Sequence, residues 1–370
     1  MVGAGVFSAF APAARAAGAG LLAGLAIAAV VAYCNATSSA RLAALYPESG
    51  GTYVYAGRRI GPLWGVAAGW AFVLGKLASC AAMAITFAVY AAPDHQRLAA
   101  VAAVVAVTAV DTLGIEKSAL VTRVIVAFVL LVLAVVMVAA LAAGDPSAER
   151  LTGSGRPGGH GPLGVLEAAG LLFFAFAGYA RIATLGEEVR EPERTIPRAV
   201  VVALAIALGV YAAVAVTGLL VAGPAGLGAT DSPLRAVVDA AGAQGLGPVV
   251  VAGAVVAALG SLLSLVLGVT RTTFAMARDG RLPRALAAVH PRSRTPYRAT
   301  LLIGAVVAVL AATFDLRGAI GFSSFAVLLY YALANASALT LTDAEGRPPR
   351  AVPVLGLAGC LVLSVSVALG

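Results

Sequence analysis

Long apolar runs separated by short polar breaks limit this chain to one environment. Residues 61–92 carry a single charged side chain, Lys76, and residues 119–143 carry only Arg123. A helix needs about 20 apolar residues to cross the hydrocarbon core of a bilayer, and runs of that order recur along the whole chain. Inside a bilayer an unpaired backbone N–H or C=O costs several kcal/mol, so these runs must be helices that close their own hydrogen bonds. Of the 370 residues only 11% are charged and 61% are hydrophobic, whereas a soluble domain carries roughly 25% charged residues. The expected fold class is all-α, a polytopic membrane protein without a large soluble domain.

Residues 2–14 are apolar but short, and Pro12 interrupts them. They read as the second part of a first span whose beginning is missing. Further spans are expected at 18–45, 61–92, 98–110, 119–143, 163–186, 196–221, 246–277, 299–314, 319–341 and 352–370. The last stops without a polar flank, so the chain reads as truncated at both ends. Residues 144–161 form a Gly/Pro-rich loop. A short helix is expected at 233–241 with Ser232 as its cap. Cys34, Cys80 and Cys360 lie in apolar runs, so no disulfide is expected. His95, His160 and His290 fall at or near loops, and no paired Cys/His spacing suggests a metal. No cofactor is expected, and no basic leader follows Met1.

The charge excess of +8 gives an orientation rather than a nucleic-acid partner. Let the loop after the second span be cytoplasmic and let sides alternate. The cytoplasmic set is then Arg41, Arg58, Arg59, Lys117, Arg123, Arg181, Arg190, Arg194, Arg198, Arg271, Arg278, Arg281, Arg284, Arg292, Arg294, Arg298, Arg347 and Arg350. The outer set is only Arg15, Arg97, Arg150, Arg156, Arg235 and Arg317. This bias is the positive-inside pattern. It places the missing N-terminus in the cytoplasm and the protein in the plasma (inner) membrane.

Two spans carry interruptions. The sequence LLFFAFAGYARIATLGEEVREPERTIP at 171–197 combines Gly178, polar-tipped Tyr179 and charged Arg181 in the middle of a span. Gly3-Ala4-Gly5 interrupts the first. Broken backbone at membrane depth is tolerated only where it lines a cavity. Paired interrupted spans at matching positions of two halves point to an inverted-repeat transporter and its substrate site. The halves are residues 1–143 and 163–341, each opening on its broken span, with 144–162 as an external loop and 342–370 as the start of the C-terminal helices. Five spans per half is odd, so the second half enters the membrane from the opposite side.

Four stretches carry a family resemblance: VGAGVF at 2–7, YPESGGTYVYA at 46–56, FFAFAGYARIATLGEEVREPERTIPRA at 173–199 and TRTTFAMARDGRLP at 270–283. At these residues, and in their order and spacing, the chain resembles the amino acid–polyamine–organocation superfamily. It looks most like bacterial amino acid permeases related to the cationic amino acid transporters. The resemblance implies a LeuT-type five-plus-five inverted repeat with discontinuous helices one and six. It also implies secondary amino acid transport by alternating access, as proton-coupled symport or exchange. Such permeases usually have twelve spans, and this chain lacks most of helix one and all of helix twelve. A non-transporting amino acid sensor of the same fold is the alternative. A membrane enzyme is not expected, because no catalytic constellation lies inside the spans.

The site residues follow from that resemblance. The amides at Val2, Gly3, Ala4 and Gly5 would take the substrate carboxylate, since glycine lets backbone approach a ligand and a helix N-terminus suits an anion. The plain alternative is close packing through small residues. The carbonyls of Phe174, Ala175, Phe176, Ala177, Gly178 and Tyr179 would take the substrate ammonium, with Phe176 or Tyr179 closing as a gate; otherwise these aromatics simply pack. Glu187, Glu188 and Arg190 read as a cytoplasmic gate, or as a solvated loop. Ser261 and Ser264 share a helix face. In sodium-coupled relatives hydroxyls on this helix bind sodium, although they can equally bond back to their own helix. Lys76 is costly at mid-span, by roughly 2.5–3.5 kcal/mol, and needs a partner or a wet cavity. Many proton-coupled relatives carry a lysine on span five, but the segment from Ser118 to Val124 and onward has none within the span. Either Lys76 has taken over as the coupling group or coupling is absent, and the plain alternative for Lys76 is one member of a structural ion pair.

Overall fold

The computed structural model describes residues 2–48, 50–114, 119–152, 161–179, 192–291 and 295–370, except for the side chains of 119, 152, 179 and 192–194. Among the described residues every regular element is helical. In chain order the helices are α1 (Gly5–Ser8), α2 (Phe10–Ala17), α3 (Leu21–Leu45), α4 (Thr52–Arg59), α5 (Pro62–Ala91), α6 (Gln96–Thr112), α7 (Ala119–Ala143), α8 (Glu149–Thr152) and α9 (Gly161–Phe176). They continue as α10 (Pro192–Gly228), α11 (Pro233–Ala240), α12 (Gly247–Arg278), α13 (Tyr297–Thr313), α14 (Leu316–Leu339) and α15 (Ala351–Leu369).

Several of these helices are long and apolar enough to span a membrane, and their burial sorts them. In α5 the apolar window is 83% buried, against 28% in α7 and 28% in α15. α5 is therefore the central post, packed against α14, α12, α4 and α6. The outward side of α7 presents Leu120, Val124, Phe128, Leu131, Val135 and Val138, a face suited to acyl chains. Lipid is as apolar as leucine, so close packing and interhelical hydrogen bonds hold such a bundle, and small residues favour both. Cys80, Ala81, Ala82, Ala84 and Ala88 of α5 are accordingly buried. Polar clasps supplement them. Ser79 and Ser323 share a hydrogen bond of 2.6 Å between α5 and α14. Asn335 of α14 donates to Asn35 of α3 at 2.6 Å, and Cys360 of α15 donates to the same oxygen at 3.3 Å.

Three expectations shift. Residues 52–59, within the connection between the second and third expected spans, fold as helix α4. At α11 the Ser232 side chain makes no cap bond. α10 also begins before residue 196 and bends at Gly223, whose φ of 69° is open to glycine at little cost, just before Pro224.

Candidate functional site

Helical backbone starts at Gly5 and continues through Ala9, which has helical φ/ψ, to Ala17. The amides of Gly3, Ala4 and Gly5 thus stand at a helix start, where N–H groups have no carbonyl one turn back and the helix dipole is positive. Of these, the Ala4 N–H donates to Ser261 Oγ of α12 at 3.5 Å. Gly5 lies where this helix crosses α9. A Cβ built on it would stand 2.9 Å from Ala175 Cα and 3.0 Å from Ala175 Cβ, so the approach itself requires glycine. Tyr90 of α5 closes one side by donating to the Phe7 carbonyl at 2.9 Å, with its ring edge-on to Phe7.

α9 stops at Phe176 and passes into a single 3-10 turn, Ala177–Tyr179. Its last carbonyls lack partners along the helix, and side chains from two other helices take two of them. Tyr211 of α10 donates to the Ala175 carbonyl at 2.8 Å. Lys76 of α5 donates from Nζ to the Ala177 carbonyl at 3.3 Å. Lys76 is only 6% exposed, and among the described residues no carboxylate pairs with it. The Phe72 ring also lies beside it, with Nζ 5.9 Å from the ring centroid. The negative end of a helix and a ring face both attract a cation, and among the described residues these are what hold this lysine. Among the described residues, then, Lys76 has no ion-pair partner.

The structure brings Gly5 to Ala175, Ala4 to Ser261 and Lys76 to Ala177. Val2 packs on the core, and Ser264 lies part-buried one turn beyond Ser261. Phe174 is buried, and Phe176 packs edge-on to Tyr211 with centroids 5.0 Å apart, so gating by Phe176 would have to break that contact. Gly178 is exposed. The Tyr179 side chain and Glu187, Glu188, Arg190 and Arg181 lie outside the described residues.

Charged contacts near both ends of the bundle escaped the sequence reading. Arg15 pairs with Asp231 at 2.7 Å and donates to the Gly228 carbonyl. Buried Glu167 of α9 pairs with Arg317 of α14. Near the other end Arg59 of α4 pairs with Glu345, whose backbone carbonyl accepts from Arg41 of α3. Glu167 could have been singled out as an acid inside an apolar run, but nothing in the spacing names Arg317 as its partner.

The sequence profile of a family described as amino acid permease matches residues 1–369. The chain belongs to that family. The permease is 63% identical over 369 residues to an uncharacterised transporter of Mycobacterium tuberculosis, covering 100% of this chain and 83% of that protein. It is 28% identical to the branched-chain amino acid permease BcaP of Bacillus subtilis, over 98% of this chain and 84% of that one. It is also 28% identical to human cationic amino acid transporter 4, over 94% of this chain and 58% of the relative. The permease is thus a multi-pass membrane transporter of the amino acid class, not an enzyme.

Proposed function

We propose that this permease is a secondary active transporter that works by alternating access and couples amino acid uptake to protons through Lys76. The two halves, 1–143 and 163–341, would act as inverted repeats around the broken helices, with the N-terminal side in the cytoplasm. The substrate carboxylate would meet the amides of Gly3, Ala4 and Gly5. Its ammonium would meet the carbonyl end of α9. Glu187, Glu188 and Arg190 would form the inner gate.

One observation supports the coupling group above the others: Lys76 Nζ lies on the Ala177 carbonyl. A protonated lysine offers three N–H donors and a full charge to that helix end. A neutral amine offers less, so losing the proton loosens the hold on the turn that carries the substrate's carbonyls. Protonation of one side chain is thereby tied to the shape of the break. Sodium is the competing ion, favoured by Ser261 beside the Ala4 amide.

Uptake into proteoliposomes, with and without sodium and with an inward proton gradient, tests both. The wild type is expected to concentrate substrate with the proton gradient alone. Lys76→Met, which keeps bulk and removes charge, is expected to bind substrate but not respond to the gradient, leaving exchange at most. Gradient-driven accumulation by Lys76→Met would reject Lys76 as the coupling group. A strict sodium requirement in the wild type would move the role to Ser261 and Ser264.

A further inference from the structure

We infer that Lys76 sets the charge of the substrate: the site accepts amino acids without a cationic side chain and rejects those that carry a second positive charge. The inference rests on the amino acid reading of the site. It runs against the name of the human relative, which is called a cationic amino acid transporter.

Occupancy is the first ground. The carbonyl end of α9 is where a substrate ammonium would bind, and protein side chains already use part of it. Tyr211 holds the Ala175 carbonyl and Lys76 holds the Ala177 carbonyl. A zwitterion's α-ammonium must share the remaining carbonyls with a resident ammonium. A lysine or arginine substrate would add a further cation to that crowd.

Compensation is the second. Among the described residues the buried acids are Asp111 and Glu167. Asp111 accepts from Thr300 Oγ1 at 3.1 Å, and Glu167 is paired with Arg317. Neither pairs with Lys76, so among the described residues no carboxylate compensates the charge beside the break. Like charges repel far more strongly in a low-dielectric bundle than in water.

Donor count is the third. Lys76 has three N–H donors and spends one on Ala177, with the Phe72 ring beside it. Among the described residues nothing else accepts from it, so what it has left to offer there is hydrogen-bond donation and positive charge. These suit an acceptor or a carboxylate on the substrate, not another donor cation.

Isosteric pairs isolate charge from shape. Equilibrium binding to the purified permease is measured for lysine against norleucine and for arginine against citrulline, with glutamate and leucine completing the panel. The neutral member of each pair is expected to bind at least tenfold tighter in the wild type. Lys76→Gln is expected to narrow both ratios to less than about threefold, while Lys76→Arg keeps them. Lys76→Met repeats the narrowing if the glutamine variant does not fold.

Wild-type protein that binds lysine as well as norleucine overturns the inference while the amino acid reading stands. Ratios that persist in Lys76→Gln and Lys76→Met overturn the role of Lys76. Failure of every amino acid in the panel to bind would reject the amino acid reading, and the inference with it.

Discussion

At Gly5 a single methyl group would have to sit 2.9 Å from the Ala175 Cα, a backbone atom that cannot swing aside. From sequence alone, a leucine at Gly5 looks like a clean test of the substrate amides, since it should fold and only block their approach. The structure changes that expectation, because any side chain there also pushes α1 away from α9. Even Gly5→Ala is therefore expected to lower stability, by about the 1–3 kcal/mol typical of overpacking. It should also weaken substrate binding at least tenfold by displacing the Ala4 amide and the end of α9 together. Gly209→Ala is the control, because a Cβ there meets nothing within 4 Å. Thermal midpoints and binding constants for both variants decide the matter. A Gly5→Ala protein as stable and as tight-binding as the Gly209→Ala control would mean that this close approach is dispensable.

Two ion pairs that join helices differ in how much each partner is buried. Glu167 has a side chain 8% exposed, while Arg317 is 41% exposed. Removing the arginine strands a carboxylate in the bundle, which costs several kcal/mol. Neutralising the acid leaves an arginine that can still reach water. Arg317→Ala is therefore expected to destabilise the protein more than Glu167→Gln, and the reverse order would show that Glu167 finds another partner. The Arg59–Glu345 pair behaves differently because it lies outside the spans. The Arg59 guanidinium, helped by the Thr342 backbone N–H and hydroxyl, pulls the Glu345 carboxyl down from about 4.5 to about 2. A carboxyl depressed in the folded state stabilises it fully above its ordinary range, and loses that contribution as pH falls toward the depressed value. The thermal-midpoint difference between wild type and Glu345→Gln should therefore stay constant from pH 6 to 8 and shrink as the pH approaches about 3. A difference that changes between pH 6 and 8 would contradict this. The elements themselves were largely readable beforehand. α7 falls on the expected 119–143, and α5 lies within one residue of 61–92 at each end, because run length and hydropathy are local properties. α4 was missed because TYVYAGRR is short and mixed in polarity. The meetings of Gly5 with Ala175 and Lys76 with Ala177 were not readable as pairs at all. They join residues far apart in the chain and depend on how whole helices cross.

At the scale of the molecule, the sidedness of the bundle decides what each cluster is for. If the spans alternate, the lysine and arginine distribution puts the basic loops at one end, and positive charge resists translocation. If that end is cytoplasmic, Arg59–Glu345 clasps the inner side, whereas Arg15–Asp231 and Glu167–Arg317 clasp the outer side. Reversed, the two sets of clasps exchange roles, and the substrate would meet the Glu187–Arg190 segment from outside. The three native cysteines, Cys34, Cys80 and Cys360, are buried, so a single introduced thiol should dominate labelling by a membrane-impermeant maleimide. Ala229, in the turn before α11, and Ala285, in the basic loop after α12, are both exposed. In intact cells Ala229→Cys is expected to label, and Ala285→Cys only after permeabilisation. Labelling in the opposite pattern would invert the bundle. It would also undo the inner-gate assignment of Glu187, Glu188 and Arg190, since they would then close the external face.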